Sequence, residues 1–346
     1  MRKYICRISL LTLLFATIFT LAACLSKECD HTYSNGQCTS CGLLTEECFD
    51  FVLCNDGTYA IKNVKSTRVW NTKGNVILPT HYNGKIISRI GISAFAGCKN
   101  ITGVVIPSGY TEIGAWAFEG CSSITKIEIP KSVTKIDAGA FRKCTSLTEI
   151  TLPSSITTLE EGLFDGCESL TKINLGKNVT GIGKYAFRSC TSLESINLGK
   201  NLTVLDTGAF YGCTKLKNIT LPNSVTAIAN GAFFNCTSLE NIIIPDGVNT
   251  IAFRTFYGCS SLTNVVISKN VTLIEDKAFE NCSALSSIVI PSSVKYIGTD
   301  AFKKCTKLNN VYFEGSKEDW KKISALCPGD LGLNPVTIIH YDYVSK

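Results

Sequence analysis

The residues with the most chemical capacity in this 346-residue chain are its 18 cysteines and three histidines, His31, His81 and His340. The cysteines fall into two groups. Near the N-terminus, Cys29, His31, Cys38 and Cys41 are spaced Cys-x-His-x6-Cys-x2-Cys, and three sulfurs with one nitrogen suit a tetrahedral zinc ion. Four protein ligands close the coordination sphere, so the expectation is a structural zinc and not a catalytic one. Gly36 and Gly42 fit the tight turns of such a knuckle. Outside the cytoplasm the same segment also reads as oxidative, with bridges among Cys29, Cys38, Cys41, Cys48 and Cys54. Five is odd, so one thiol stays free, or a metal takes its set and leaves Cys48 to Cys54. Both readings stand on the sequence.

The second group keeps a fixed beat. Cys98, Cys121, Cys144, Cys167, Cys190, Cys213, Cys236, Cys259, Cys282 and Cys305 recur at one unvarying interval, each with a phenylalanine three positions earlier. No catalytic constellation accompanies them: there is no Gly-x-Ser-x-Gly elbow, His-Glu-x-x-His pair or phosphate-binding glycine loop. Carboxylates such as Glu160 and Glu161 fall on variable edges, where solvation accounts for them. With no nucleophile placed beside a base, the expectation is a protein that is not an enzyme.

A period of this length without insertion implies a stack of coils, each burying its apolar side chains only against its neighbours. Residues 144–166 illustrate one coil. Leu147, Ile150 and Leu152 form a Leu-x-x-Ile-x-Leu strand, ended by Pro153, which has no N–H to continue a ladder. Ile156 and Leu159 make a second short apolar pair, and Leu163 and Phe164 fill the core from a turn that Gly166 lets bend. Equivalent positions lie ~4.8 Å apart in adjacent coils, so ten coils give a rod on the order of 50 Å. Cysteines stacked in this way have parallel Cβ vectors, which favours a ladder of buried free thiols over paired disulfides.

Between the apolar positions of each strand one residue points outward. Along the stack these are Val105, Glu128, Thr151, Asn174, Asn197, Thr220, Ile243, Val266, Val289 and Tyr312. The last four make an apolar stripe, flanked by Asn241, Asn264, Ser287 and Asn310. Such a stripe is a candidate partner site for polypeptide or glycan, although strand propensity alone also places Val, Ile and Tyr there. Lys177, Lys200 and Lys269 share one repeated position and read as a solvated rim.

The run Ile-Pro-x-Ser-Val-Thr-x-Ile-x-x-x-Ala-Phe-x-x-Cys-x-x-Leu, nearly complete at Pro291, Ser293, Val294, Ile297, Gly298, Ala301, Phe302, Cys305 and Leu308, resembles the BspA-type leucine-rich repeat. That resemblance covers roughly residues 76–313. It implies a leucine-rich repeat solenoid, a right-handed coil of ten 23-residue repeats with a parallel β-sheet on one face and short strands, turns or 3-10 segments on the other. It also implies a bacterial surface protein whose partners are host extracellular glycoproteins or other bacterial surface proteins. No shared binding residue comes with the family.

The N-terminus reads as an export signal. Arg2, Lys3 and Arg7 precede an apolar run from Ile8 to Leu21, closed by Leu21-Ala22-Ala23-Cys24. The segment resembles a bacterial lipobox, which would make Cys24 the lipidated first residue and attach the chain to a membrane through that lipid anchor. Removing residues 1–23 takes three positive charges from the formal +6, leaving +3. So mild a surplus, spread over many repeats, argues against a nucleic-acid partner. The expected organisation is a signal peptide at 1–23, a tether at 24–28, a cysteine-rich knuckle at 29–48, a linker and N-cap at 49–75, the solenoid at 76–313 and a C-terminal cap at 314–346. The leading functional reading is adhesion or ligand capture at the cell envelope through the strand-lined face. The alternative is a spacer or envelope scaffold with no external ligand.

Overall fold

A computed structural model describes residues 33–34, 37–38, 43–65, 74–327 and 329–344. Each coil contributes two short strands to two parallel sheets. On the front face the strands run from Gly74–Ile77 and Ile101–Val105 through Glu149–Thr151 to Asn310–Phe313; on the back they run from Lys85–Ile90 through Thr158–Leu159 to Tyr296–Ile297. From Ile101–Val105 onward strands of successive coils pair one repeat apart, as Glu149 with Lys172 and Thr151 with Asn174 on the front and Leu159 with Ile182 on the back, whereas the first front strand, Gly74–Ile77, pairs with Ile101–Val105 in a longer, shifted register. The hydrogen-bonded ladder is interrupted, and the front face comprises runs of five, four and three strands.

The core is repetitive. In the coil that begins at Cys144, the side chains of Leu147, Ile150, Leu152, Ile156, Leu159, Leu163, Phe164 and Cys167 are all at most 3% exposed. The ten phenylalanines from Phe95 to Phe302 stack face to face, with the Phe187 and Phe210 centroids 5.2 Å apart and 5° from parallel, and Phe210 and Phe233 5.6 Å apart at 5°. Cysteine packs beside this column. Each thiol from Cys121 to Cys305 donates to the carbonyl of the phenylalanine 26 residues earlier; Cys213 Sγ, for instance, lies 3.1 Å from Phe187 O. That carbonyl also accepts the backbone N–H of its own coil's cysteine, as in Cys190 N to Phe187 O at 3.2 Å. The repeat cysteines are therefore free, buried thiols, and burial pushes the Cys98 thiol up to about 11 and those from Cys121 to Cys282 upward as well.

The third side of each coil is a turn containing two left-handed residues, one and five positions before the cysteine. Gly120 (φ 69°) and Trp116 (φ 54°) occupy them in one coil, Ser189 (φ 57°) and Tyr185 (φ 55°) in another. A left-handed non-glycine residue costs roughly 1–2 kcal/mol. Here its N–H is fixed by the next coil: Trp116 N bonds Ala138 O at 2.9 Å and Tyr185 N bonds Thr207 O at 2.9 Å. The two aromatic residues at this position, Trp116 and Tyr185, lie over a glycine of the following coil. A Cβ on Gly139 would sit 2.5 Å from the Trp116 ring, and one on Gly208 would collide with Tyr185.

Both ends are covered. Within 49–75, the strands Phe49–Leu53 and Tyr59–Val64 form an antiparallel hairpin whose second strand pairs parallel with Lys85–Ile90. Phe49 meets the first stacked ring, Phe95, at 6.0 Å and 66°. At the other end, Trp320 from the helix Lys317–Leu326 packs on Phe313 at 5.3 Å, and the strand Ile338–His340 pairs with Asn310–Phe313. The capping strands thus cover the edges of the repeat strands and become the outermost strands of their sheets, short edges being less prone to aggregation.

The candidate binding face

The front strands present their outward residues as the alternation of side chains requires. Asn241 pairs with Asn264 and Ile243 with Val266 in adjacent strands. The side chains of Ile243 and Val266 are 64% and 46% exposed, and Asn241 and Asn264 beside them are exposed as well. Together the two aliphatic side chains form the exposed centre of the stripe.

The stripe is shorter than its four residues imply. Val289 and Tyr312 are half-buried and belong to a separate hydrogen-bonded run. For Tyr312 the reason is the C-terminal strand, which sets His340 opposite it. The two rings stack at 4.6 Å and Tyr343 leans on Tyr312 at 4.8 Å. Asn310 is likewise engaged, its Oδ1 lying 2.9 Å from His340 Nε2. Four of the expected residues (Asn241, Ile243, Asn264, Val266) thus form one open patch, while Val289, Asn310 and Tyr312 border it beneath or beside the cap.

The N-terminal expectations fall elsewhere. Cys24, Cys29, His31 and Cys41 lie outside the described residues. Cys38 is 1% exposed in the strand Gln37–Cys38, which pairs antiparallel with Tyr33–Ser34.

One side-chain column went unread in the sequence. Two positions before the cysteine, Glu119, Arg142, Asp165 and Arg188 form an ionic ladder along successive coils. Asp165, 6% exposed, accepts from Arg142 Nε at 3.1 Å and from Arg188 Nε and Nη2 at 2.8 Å each. Further along the same column Tyr211, Phe234 and Tyr257 stack at 4.5 and 4.6 Å. Tabulating every offset from the cysteines, and not only the apolar ones, would have exposed the alternation of charge.

The family match agrees with this architecture. The family model described as the BspA type leucine rich repeat region matches residues 83–194 and 180–309, in six copies. No curated protein matches the sequence at a significant level. Among solved structures, a leucine-rich repeat protein from Bacteroides ovatus is 24% identical, with 85% of this chain and 98% of that chain covered and a TM-score of 0.44. A leucine rich cell surface protein from Faecalibacterium prausnitzii is 26% identical over 81% of this chain and 97% of that one, with a TM-score of 0.40. The pneumococcal vaccine antigen PcpA is 17% identical over 86% and 97%, with a TM-score of 0.45. The matched family repeats extend over more than half of the sequence and coincide with the stacked coils, and this chain belongs to the BspA type leucine-rich repeat family.

Proposed function

We propose that this protein is a bacterial surface-displayed binding protein that captures protein or glycan ligands through its front sheet, and that it has no catalytic role. The observation that carries this reading is the open patch of Ile243 and Val266 flanked by Asn241 and Asn264. An apolar centre with polar neighbours on a preformed sheet loses little conformational freedom on binding. The N-terminal segment that resembles a lipobox supplies the route to the envelope, with lipid on Cys24 holding the solenoid at the membrane surface. Among the described residues no helix is long and apolar enough to cross a membrane.

The test is binding of the purified protein to immobilised matrix glycoproteins, mucin and bacterial cells. A companion carrying Ile243→Lys and Val266→Lys runs beside it, with thermal unfolding measured on both. Saturable binding that the companion loses, at unchanged stability, is the expected result. Equal binding by both proteins would remove this patch as the site, and no binding to any surface would favour the scaffold role.

A further inference from the structure

The other half of the front face has opposite chemistry. In two consecutive coils the sequence Asn-Leu-Gly-Lys-Asn recurs, at Asn174–Asn178 and Asn197–Asn201. It replaces the proline that ends the front strand in coils such as those with Pro130, Pro153, Pro222 and Pro245. Gly176 and Gly199 take φ of 74° and 69°, a conformation closed to proline. Each left-handed turn is pinned on both sides. Asn174 Oδ1 accepts from Gly176 N at 3.1 Å and Asn197 Oδ1 from Gly199 N at 3.0 Å. Asn178 Nδ2 donates to Ser154 O at 2.7 Å and Asn201 Nδ2 to Lys177 O at 2.9 Å.

The backbone around Lys177 and Lys200 is thus fixed, while their side chains are exposed and, among the described residues, make no ion pair. Where the proline rings are missing a shallow depression lies among Asn174, Gly176, Lys177, Asn197 and Lys200, and an adjoining one, which shares Asn174 and is still lined by Pro153, continues it toward Lys126, Lys131 and Lys172. Five lysines against Glu128 and Glu149 give its lining a formal +3, compared with +6 for the whole chain. The lining is therefore net basic, and Lys126 is the lysine in it that pairs with an acidic neighbour, Glu128 at 3.4 Å.

We propose that this depression is a second binding site, separate from the apolar patch, and that its ligand is an extended polyanionic glycan carrying sulfate or carboxylate groups. Charge complementarity defines the class. Lysines at equivalent positions rise ~4.8 Å per coil, so Lys177 and Lys200 meet successive anionic groups of a linear chain. The surface between them is a row of hydrogen-bonding groups suited to sugar hydroxyls: Thr151, Asn174 and Asn197, whose Oδ1 atoms are already used and whose Nδ2 donors are on offer. Nucleic acid fits less well. No aromatic ring lines the depression to stack a base, and the cations are lysines, with no arginine fork for bidentate phosphate or base contacts.

The test is titration of the purified protein against heparin, hyaluronan and neutral dextran over a series of salt concentrations. Lys177→Gln/Lys200→Gln is the variant, and Lys269→Gln, at the same repeat position outside the depression, is the control. Heparin should bind saturably and dextran should not. The double variant should weaken heparin binding about tenfold and flatten the log–log salt slope by about 1.5, the counterions released by two lysines. The control should match the parent. Hyaluronan binding as tight as heparin would place carboxylated glycans in the class, and weaker binding would narrow it to sulfated ones. Absence of binding to both polyanions, binding unchanged in the double variant, or equal affinity for DNA or polyglutamate would each overturn the proposal. The Ile243→Lys/Val266→Lys protein keeps this depression intact, so failure here and failure of the apolar patch are read separately.

Discussion

The thiol column makes the stability of this protein unusually sensitive to alkali. Cysteine in an unfolded chain titrates near 8.5–9. In the folded protein burial raises the thiols from Cys98 to Cys282, Cys98 to about 11. From Cys121 onward, ionisation would also remove the S–H donor that each gives to a phenylalanine carbonyl. The native state therefore holds its thiol protons while the unfolded chain loses them. Stability is fully present below the unfolded pKa and falls as pH rises from about 9 toward the raised native values. At pH 10 each of these nine thiols costs roughly 1–2 kcal/mol, about 10–15 kcal/mol together. That total matches the whole stability of an ordinary domain, roughly 5–15 kcal/mol. Tyr110, buried with its phenol donating to Pro79 O at 2.7 Å, acts in the same direction. Urea midpoints followed by circular dichroism from pH 7 to 10, under reductant, should be flat to pH 8 and then drop steeply. Cys213→Ala should lose about one ninth less than the parent over that interval. A midpoint equal at pH 8 and pH 10 would refute the reasoning.

Three further outcomes follow from the packing. Phe210→Ala removes a ring stacked on both faces and should cost about 4 kcal/mol; pulsed alkylation at intermediate urea should then label Cys190, Cys213 and Cys236 before Cys121 or Cys282, because coupling in a solenoid passes between neighbours. Gly139→Ala should cost about 2–3 kcal/mol from its left-handed backbone and the Trp116 ring together, and adding Trp116→Ala should recover the steric part in a denaturation double-mutant cycle. Asp165→Asn should cost about 1–2 kcal/mol; breaking a buried pair typically costs about 3–5 kcal/mol, but both arginines here are about a third exposed and screened. That loss should shrink in high salt when thermal unfolding is measured.

The period itself carried most of the fold into the sequence. Leu147, Ile150, Leu152 and their counterparts are apolar because they are interior, and the stacked free thiols followed from parallel Cβ vectors. The left-handed position five places before each cysteine was not legible. Glycine holds it at Gly139, Gly162, Gly208 and Gly231, but Trp116, Tyr185, Arg254 and Lys277, which are not turn formers, occupy it as well, because a hydrogen bond to the next coil offsets the local cost. The candidate binding face was legible as a direction but not as an area. Alternation located Ile243 and Val266, whereas the covering of Tyr312 by His340 depends on a strand that follows the whole capping helix, beyond any local pattern. The lysine-lined depression depended on a conformational change at Gly176 and Gly199 that looked, in the sequence, like a minor departure from proline.

Because the strand pairing in the middle of the stack joins residues one repeat apart, the solenoid behaves there as a ruler with a fixed graduation. Excising one whole unit from the middle, such as residues 191–213, would rejoin Cys190 to Thr214 and leave each interface with an equivalent partner. An excision longer or shorter by a single position would slip the strands and turn the buried side chains outward. Change in length is thus restricted to steps of one coil, each altering the length of the solenoid by ~4.8 Å. The distance between the lysine-lined depression and the apolar patch is set in the same increments.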